Sequence, residues 1–175
     1  PDLNLRDDNT ISYSEYKDSL AKEGYKEKQT TATKENAVQK VQAPEGQEVA
    51  VFKATIGAEV TEYIVYHKGD TVTKVVLKTH RNFEKFGNAK DTLLKQEKLF
   101  TEEDVKERKE KYSSVDGVSI SYEVNGYTVT TIEEFDYTKI DFAKLKEIDP
   151  KSQLFTSFSE MKSDFENQAI FEQVQ

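Results

Sequence analysis

The sequence predicts an α+β protein: a central antiparallel β-sheet of five or more strands with helices packed on it, plus an extra N-terminal helix. Three observations predict it. From Glu48 onward the apolar pattern has a period of two, in runs rich in Val, Ile, Thr and Tyr divided by glycine turns. The elements are segregated, in the order three strands, helix, two strands, short helix, helix. Finally, ISYSEYKDSLAKEGYKE near the start aligns without a gap on TSFSEMKSDFENQAIFE near the end, 145 positions later.

That alignment places Ser12 on Ser157, Glu15 on Glu160, Lys17 on Lys162 and Glu27 on Glu172. Each segment opens with the capping box S-x-x-E, in which a hydroxyl accepts from an early amide and a carboxylate reaches back to another. Tyr13, Tyr16 and Leu20 then recur at helical spacing, as do Phe158, Met161 and Phe165, so each segment predicts a helix with one apolar stripe. Gly24 stands where a left-handed C-terminal cap belongs. A helix this short is unstable alone, and each needs a surface to lie on. We therefore read an internal repeat and expect helix 12–23 to pack on the far side of the sheet or on its edge. Residues 1–28 form this segment, 29–47 a linker containing Pro44 and Gly46, and 48–175 the α+β domain.

Within the domain, EVAVFKATI, EVTEYIVYHK and DTVTKVVLKT predict three strands joined by tight turns at Gly57-Ala58 and Gly69-Asp70. Pairing across those turns aligns Phe52 with Tyr63 and Val65 with Lys74. One face then carries Val49, Val51, Ile64, Tyr66, Val75 and Leu77. The other carries Ala50, Phe52, Ala54, Tyr63, Val65, Val72 and Val76. Neither face is polar, so both are expected to be partly covered. Residues 89–112 predict helix, with an S/T-x-x-acid start at Thr101–Asp104 and acids preceding bases. Two further strands meet at Asn125-Gly126. A short helix follows, with Asp141 as N-cap and Pro150 beyond its end.

Composition narrows the function. Of 175 residues 35% are apolar and 33% charged, with net charge −8, pI about 5.0 and mean hydropathy −0.77. An acidic chain without a basic run argues against a nucleic-acid partner and against an electrostatic membrane patch. Having no cysteine, it can form no disulfide, thiolate nucleophile or zinc finger. His67 and His80 fall on one face of the expected pairing but at opposite ends, too far apart for a metal site. The acidic groups Glu102-Glu103-Asp104 and Glu133-Glu134 with Asp136 read as a helix start and a solvated strand end, which leaves a carboxylate-dependent hydrolase as a third reading. Nucleotide-binding and serine-nucleophile motifs are absent from the sequence. No catalytic residue, metal or cofactor is expected.

The segment from about Val49 to Phe171 resembles the YehR-like lipoproteins, a family of small bacterial surface proteins of uncharacterised function. The resemblance rests on VFKATI, YHKGDTVTKVVLKT, DYTKIDFAKLKEID and the terminal amphipathic helix. It implies an antiparallel sheet with packed helices, export, and attachment to the outer face of the membrane through a lipidated N-terminal Cys that this chain does not contain. The family closes its last helix with Gly-aromatic-Lys, which Gly24-Tyr25-Lys26 matches better than Ala169-Ile170-Phe171. Residues 1–28 thus read as the tail of a preceding copy of the domain.

The expected function is a non-enzymatic, lipid-anchored binding or interaction module at the cell surface, whose partner is a protein, a peptide or a small apolar ligand. The alternative is a carrier with a pocket on the sheet. Phe52, Tyr63, Val65 and Val76 form the candidate apolar contact face, unless a helix covers them as core. Tyr13, Tyr16 and Leu20 form the stripe expected to cover it, each contributing about 1.5–3 kcal/mol if buried.

Overall fold

A computed structural model describes residues 41–152 and 154–175. The expected segment 1–28, its helix 12–23 and the linker up to residue 40 lie outside the described residues. Residues 41–47 carry no helix or strand, only a turn in which Gln47 N–H donates to Pro44 O at 3.1 Å.

Six strands form one antiparallel sheet in the order β4-β5-β3-β2-β1-β6: β1 (Glu48–Ile56), β2 (Glu59–Lys68), β3 (Thr71–Asn82), β4 (Val118–Asn125), β5 (Thr128–Asp136) and β6 (Glu172–Gln173). Between β3 and β4 runs α1 (Lys90–Lys111), preceded by a 3-10 stretch over Glu84–Ala89. Two helices follow β5: α2 (Phe142–Ile148) and α3 (Phe158–Asn167). The α+β architecture predicted from the sequence is the one observed.

The hairpins form because two-residue loops suit the twist of paired strands. Gly57-Ala58 and Gly69-Asp70 occupy the turns where the sequence places them, with both glycines at positive φ. In the β4–β5 hairpin the loop is Gly126-Tyr127, one residue later than expected, since Asn125 pairs with Thr128. Glycine thereby takes the first loop position at φ 56°. A single helix runs through Thr101–Asp104, which the sequence reads as a start. Thr101 is buried, and its hydroxyl donates to Glu97 Oε1 one turn back at 3.3 Å.

All three described helices lie on one sheet face, and the opposite face is helix-free among the described residues. Under α3 a cluster of Ala50, Phe52, Val65, Val72 and Val75 meets Met161 and Phe165. Under α1 and α2 a second cluster joins Val105, Tyr112, Val115, Ile120, Ile140 and Leu145. Tyr137 packs against both clusters, edge-on to Phe142 at 5.3 Å, and burial pushes its phenol up to about 12.

The predicted caps of the short helices are in place. Asp141 accepts from Ala143 N–H and Lys144 N–H at 3.0 and 3.1 Å, and Ser157 Oγ accepts from Glu160 N–H at 3.2 Å. Helix α3 also has a cap from outside. Asp70, in the β2–β3 turn, accepts from Ser159 N–H at 2.8 Å and from the Ser157 hydroxyl at 2.7 Å. These bonds, the Ser159 amide first, hold the Asp70 carboxyl below its ordinary value of 3.8. A depressed folded value means that the stabilisation is present above the ordinary carboxylate range and is lost as pH falls through the folded value. Asp70→Ala is therefore expected to lower Tm at neutral pH. Its deficit relative to the parent should shrink below about pH 3.8, as thermal melts across pH would show.

At the other end of α3, Ala169 sits at φ 50°, the only described non-glycine residue with positive φ. A Cβ is strained there, just past a helix end where glycine is the usual residue. Ala169→Gly is expected to raise stability by about 0.5–1 kcal/mol, read from denaturant midpoints.

Candidate functional site

Three of the four candidate contact residues come together as expected, but as core. The Phe52 and Phe165 rings lie 4.6 Å apart and those of Tyr63 and Phe165 4.8 Å apart, while Val65 is fully buried. The stripe on this patch is Met161 and Phe165 of α3, with Phe158 6.5 Å from Phe52. The patch therefore offers no open groove. The stripe Tyr13, Tyr16 and Leu20, expected to cover it, lies outside the described residues.

Val76 is on the opposite face, and this corrects the expected grouping. A β-bulge at Tyr66/His67 shifts the register: His67 pairs with Val72, but Tyr66 pairs with Lys74, so Thr73 is the extra residue. Thr73 is tied down by its hydroxyl, which donates to Gln47 Oε1 at 2.7 Å, and by its carbonyl, which accepts from Tyr137 N–H at 2.9 Å. One inserted residue reverses the parity of everything beyond it. Val65 pairs with Val75 and Ile64 with Val76, so Val75 and Leu77 also change sides. The signal was present in Lys74. The unbulged pairing sets it against Val65 on the more apolar face, whereas the bulge moves it to the other face, where it pairs with Glu134 at 2.9 Å.

The helix-free face thus has an apolar centre of Val51, Ile64 and Val76, exposed by only 1%, 5% and 5%. Val41, Val49, Tyr66, Ile132 and Val174 pack around it. A polar rim follows. Lys53 lies 3.8 Å from Glu62, Glu62 3.3 Å from His80 Nε2, and His80 Nδ1 2.9 Å from Thr130 Oγ1. The His80 hydrogen bond holds the Glu62 carboxyl below its ordinary value, against the opposing push of burial.

Both expected histidine positions need correction. The bulge places His80 on the helix-free face and His67 on the helix side. His67 is also buried: its ring stacks on Phe158 at 3.8 Å, and its Nδ1 is 2.8 Å from Gly69 O. Nor is Glu133 at a solvated strand end. It is buried, and Arg108 of α1 grips both its oxygens, one bond measuring 2.8 Å. Among the described residues no group of three or more His, Asp or Glu is arranged to hold a metal ion. A cleft of about 630 Å³ opens beside α2 and α3, where Phe142, Leu154 and Phe155 stand among Lys146, Thr156 and Asp164. Its lining mixes apolar and charged groups, so it is no enclosed greasy pocket.

No family model and no curated protein matches the chain. Solved structures similar to it include the NMR structure of the Escherichia coli YehR protein, at 20% identity and a TM-score of 0.50, covering 73% of this chain and 91% of that one. Another is an NMR structure of a protein from Streptococcus pneumoniae TIGR4, at 14% identity and a TM-score of 0.52, covering 86% and 99%. The fold is YehR-like. At such identities the likeness extends to the fold alone.

Proposed function

We propose that this protein is a non-enzymatic binding or interaction module, held at the outer face of a bacterial cell membrane by a lipid anchor, and that its contacts are made through the helix-free face of the sheet. One observation carries this reading: around a closed centre of Val51, Ile64 and Val76, the half-buried apolar side chains Val49, Tyr66 and Ile132 are framed by Lys53, Glu62, Lys74, His80 and Glu134. A greasy centre inside a charged rim is how protein interfaces are built. Of the acids on which the hydrolase reading rests, Glu133 is paired with Arg108, Glu134 with Lys74 and Asp136 with Lys139. The anchor and the surface location come from the resemblance to the YehR-like lipoproteins.

The test is to pan a random peptide library on the immobilised full chain. Peptides rich in apolar side chains are expected, with binding lost in Ile132→Glu on the helix-free face and kept in Leu99→Glu on exposed α1. Binding that ignores Ile132→Glu, or no enrichment, would overturn the assignment of the face. The anchor has its own test, which is labelling with palmitate in cells that make the complete gene product. Unlabelled protein in the cytosolic fraction would sink the surface location.

A further inference from the structure

The cleft beside α2 and α3 joins opposite charges across apolar side chains. Its volume of about 630 Å³ lies within the roughly 300–1,000 Å³ usual for small-molecule sites. Phe142 and Lys146 come from α2, Leu154 and Phe155 from the connection, and Asp164 from α3. A neighbouring hollow of about 430 Å³ shares Phe155 and Asp164 and adds Glu160. The joined surface therefore runs from a cation at Lys146, past apolar side chains, to anions at Asp164 and Glu160.

Two of the lining groups are set for a ligand. Ser152 lines the cleft, and its Oγ is buried with no hydrogen-bond partner, alone in this among the described residues. Folded chains leave few such atoms unpaired, and a polar group seated against Ser152 would satisfy it. Asp164 has an oxygen to offer. Gln168 Nε2 donates to its Oδ2 at 2.7 Å, whereas its Oδ1 has no partner among the described residues. Its charge is also felt inside the protein: burial first, then the charges of Glu133 and Asp164, push the Tyr63 phenol up.

We propose that this cleft binds a short apolar peptide with free termini, its carboxylate on Lys146, its ammonium on Asp164 and its side chains on Phe142, Leu154 and Phe155. A charge-assisted bond at each end with apolar area between them is the complement of this lining. A free amino acid holds both charges on one carbon, whereas two or three residues, at roughly 3.5 Å each, suit partners carried by two helices. The site lies on the helix side of the sheet and does not depend on the helix-free face. A library peptide displayed through its C-terminus has no carboxylate to give Lys146, so the panning experiment does not report on this cleft.

The probe is the dipeptide Leu-Phe, titrated into the 15N-enriched full chain. Amide shifts are expected at Phe142, Lys146, Phe155, Thr156 and Asp164, with those of Val51 and Ile132 unmoved. Acetylating the amine or amidating the carboxylate is expected to weaken binding about tenfold each, the worth of one charge-assisted bond, and free phenylalanine should bind more weakly than the dipeptide. Substitutions then assign the two ends. Lys146→Met should bind acid and amide alike, and Asp164→Asn should bind amine and acetylated forms alike. Lys146 is exposed and Asp164→Asn keeps the shape of the side chain, so both variants are expected to fold. Leu99→Glu on exposed α1 should keep both preferences. Ser152→Ala should retain the parent Tm, because its hydroxyl is unpaired in the free protein, and bind Leu-Phe several-fold more weakly. The absence of shifts at the cleft, capped forms that bind the parent as well as the free dipeptide, or preferences that survive Lys146→Met and Asp164→Asn would overturn the site. Phenylalanine binding as tightly as Leu-Phe would overturn the peptide as its ligand.

Discussion

Phe165→Ala is expected to remove about 3–5 kcal/mol of stability from the α3 core. The ring is 7% exposed and stands at the centre of an aromatic group, 4.6 Å from Phe52, 4.8 Å from Tyr63 and 4.9 Å from Phe171. Truncation forfeits the buried area and leaves a void that Phe52, rooted in a strand with neighbours on both sides, cannot close. It also removes tilted ring pairs worth about 0.5–1.5 kcal/mol each beyond their area. The expected result in guanidinium is a lower midpoint. Hydrogen exchange should show α3 amides opening before those of β2 and β3, because the strands keep their ladder when the helix lifts. A variant within about 1 kcal/mol of the parent would mean that α3 contributes little to folding.

Arg108→Met is expected to cost about 3 kcal/mol at neutral pH, by a different route. The guanidinium is the paired group of Glu133, whose side chain is only 10% exposed, while Asp104 lies 3.7 Å away on the solvent side. Removing the cation strands a carboxylate under α1 with nothing to replace its lost hydration. One consequence distinguishes this from simple loss of packing. Arg108→Met/Glu133→Leu should return close to the parent, because a buried pair replaced by apolar groups of similar size is often neutral. A double variant as unstable as Arg108→Met alone would show that the cost lies in the shape of the α1–sheet contact, not in the unpaired charge.

Both substitutions lie where the sequence is of unequal help. Phe165 is legible because it belongs to a stripe at helical spacing behind Ser157, and such a stripe needs a surface. Glu133 is not. In TIEEFD nothing local separates a rim carboxylate from one gripped by an arginine 25 residues away, and the difference appears only when α1 crosses β5. Asp70 belongs with Glu133. Its place in a Gly-Asp turn is local, but its second role as a cap for α3 joins residues 87 and 89 positions apart.

By itself the sequence determined the elements and their class. Period-two runs, glycine turns and helix caps act over a few residues, so β1, β2, their register, α2 and α3 follow from local chemistry. Tertiary structure alone decided which side chains share a face beyond the Tyr66/His67 bulge. An inserted residue costs a strand little locally, yet it reverses the side of everything after it. Lys74 leaves the core and Val76 joins Val51 and Ile64 because burial of valine against α3, and of charge in water, outweighs one unmade rung of the ladder. The same choice separates His67 from His80 and creates the helix-free apolar face on which the functional reading stands.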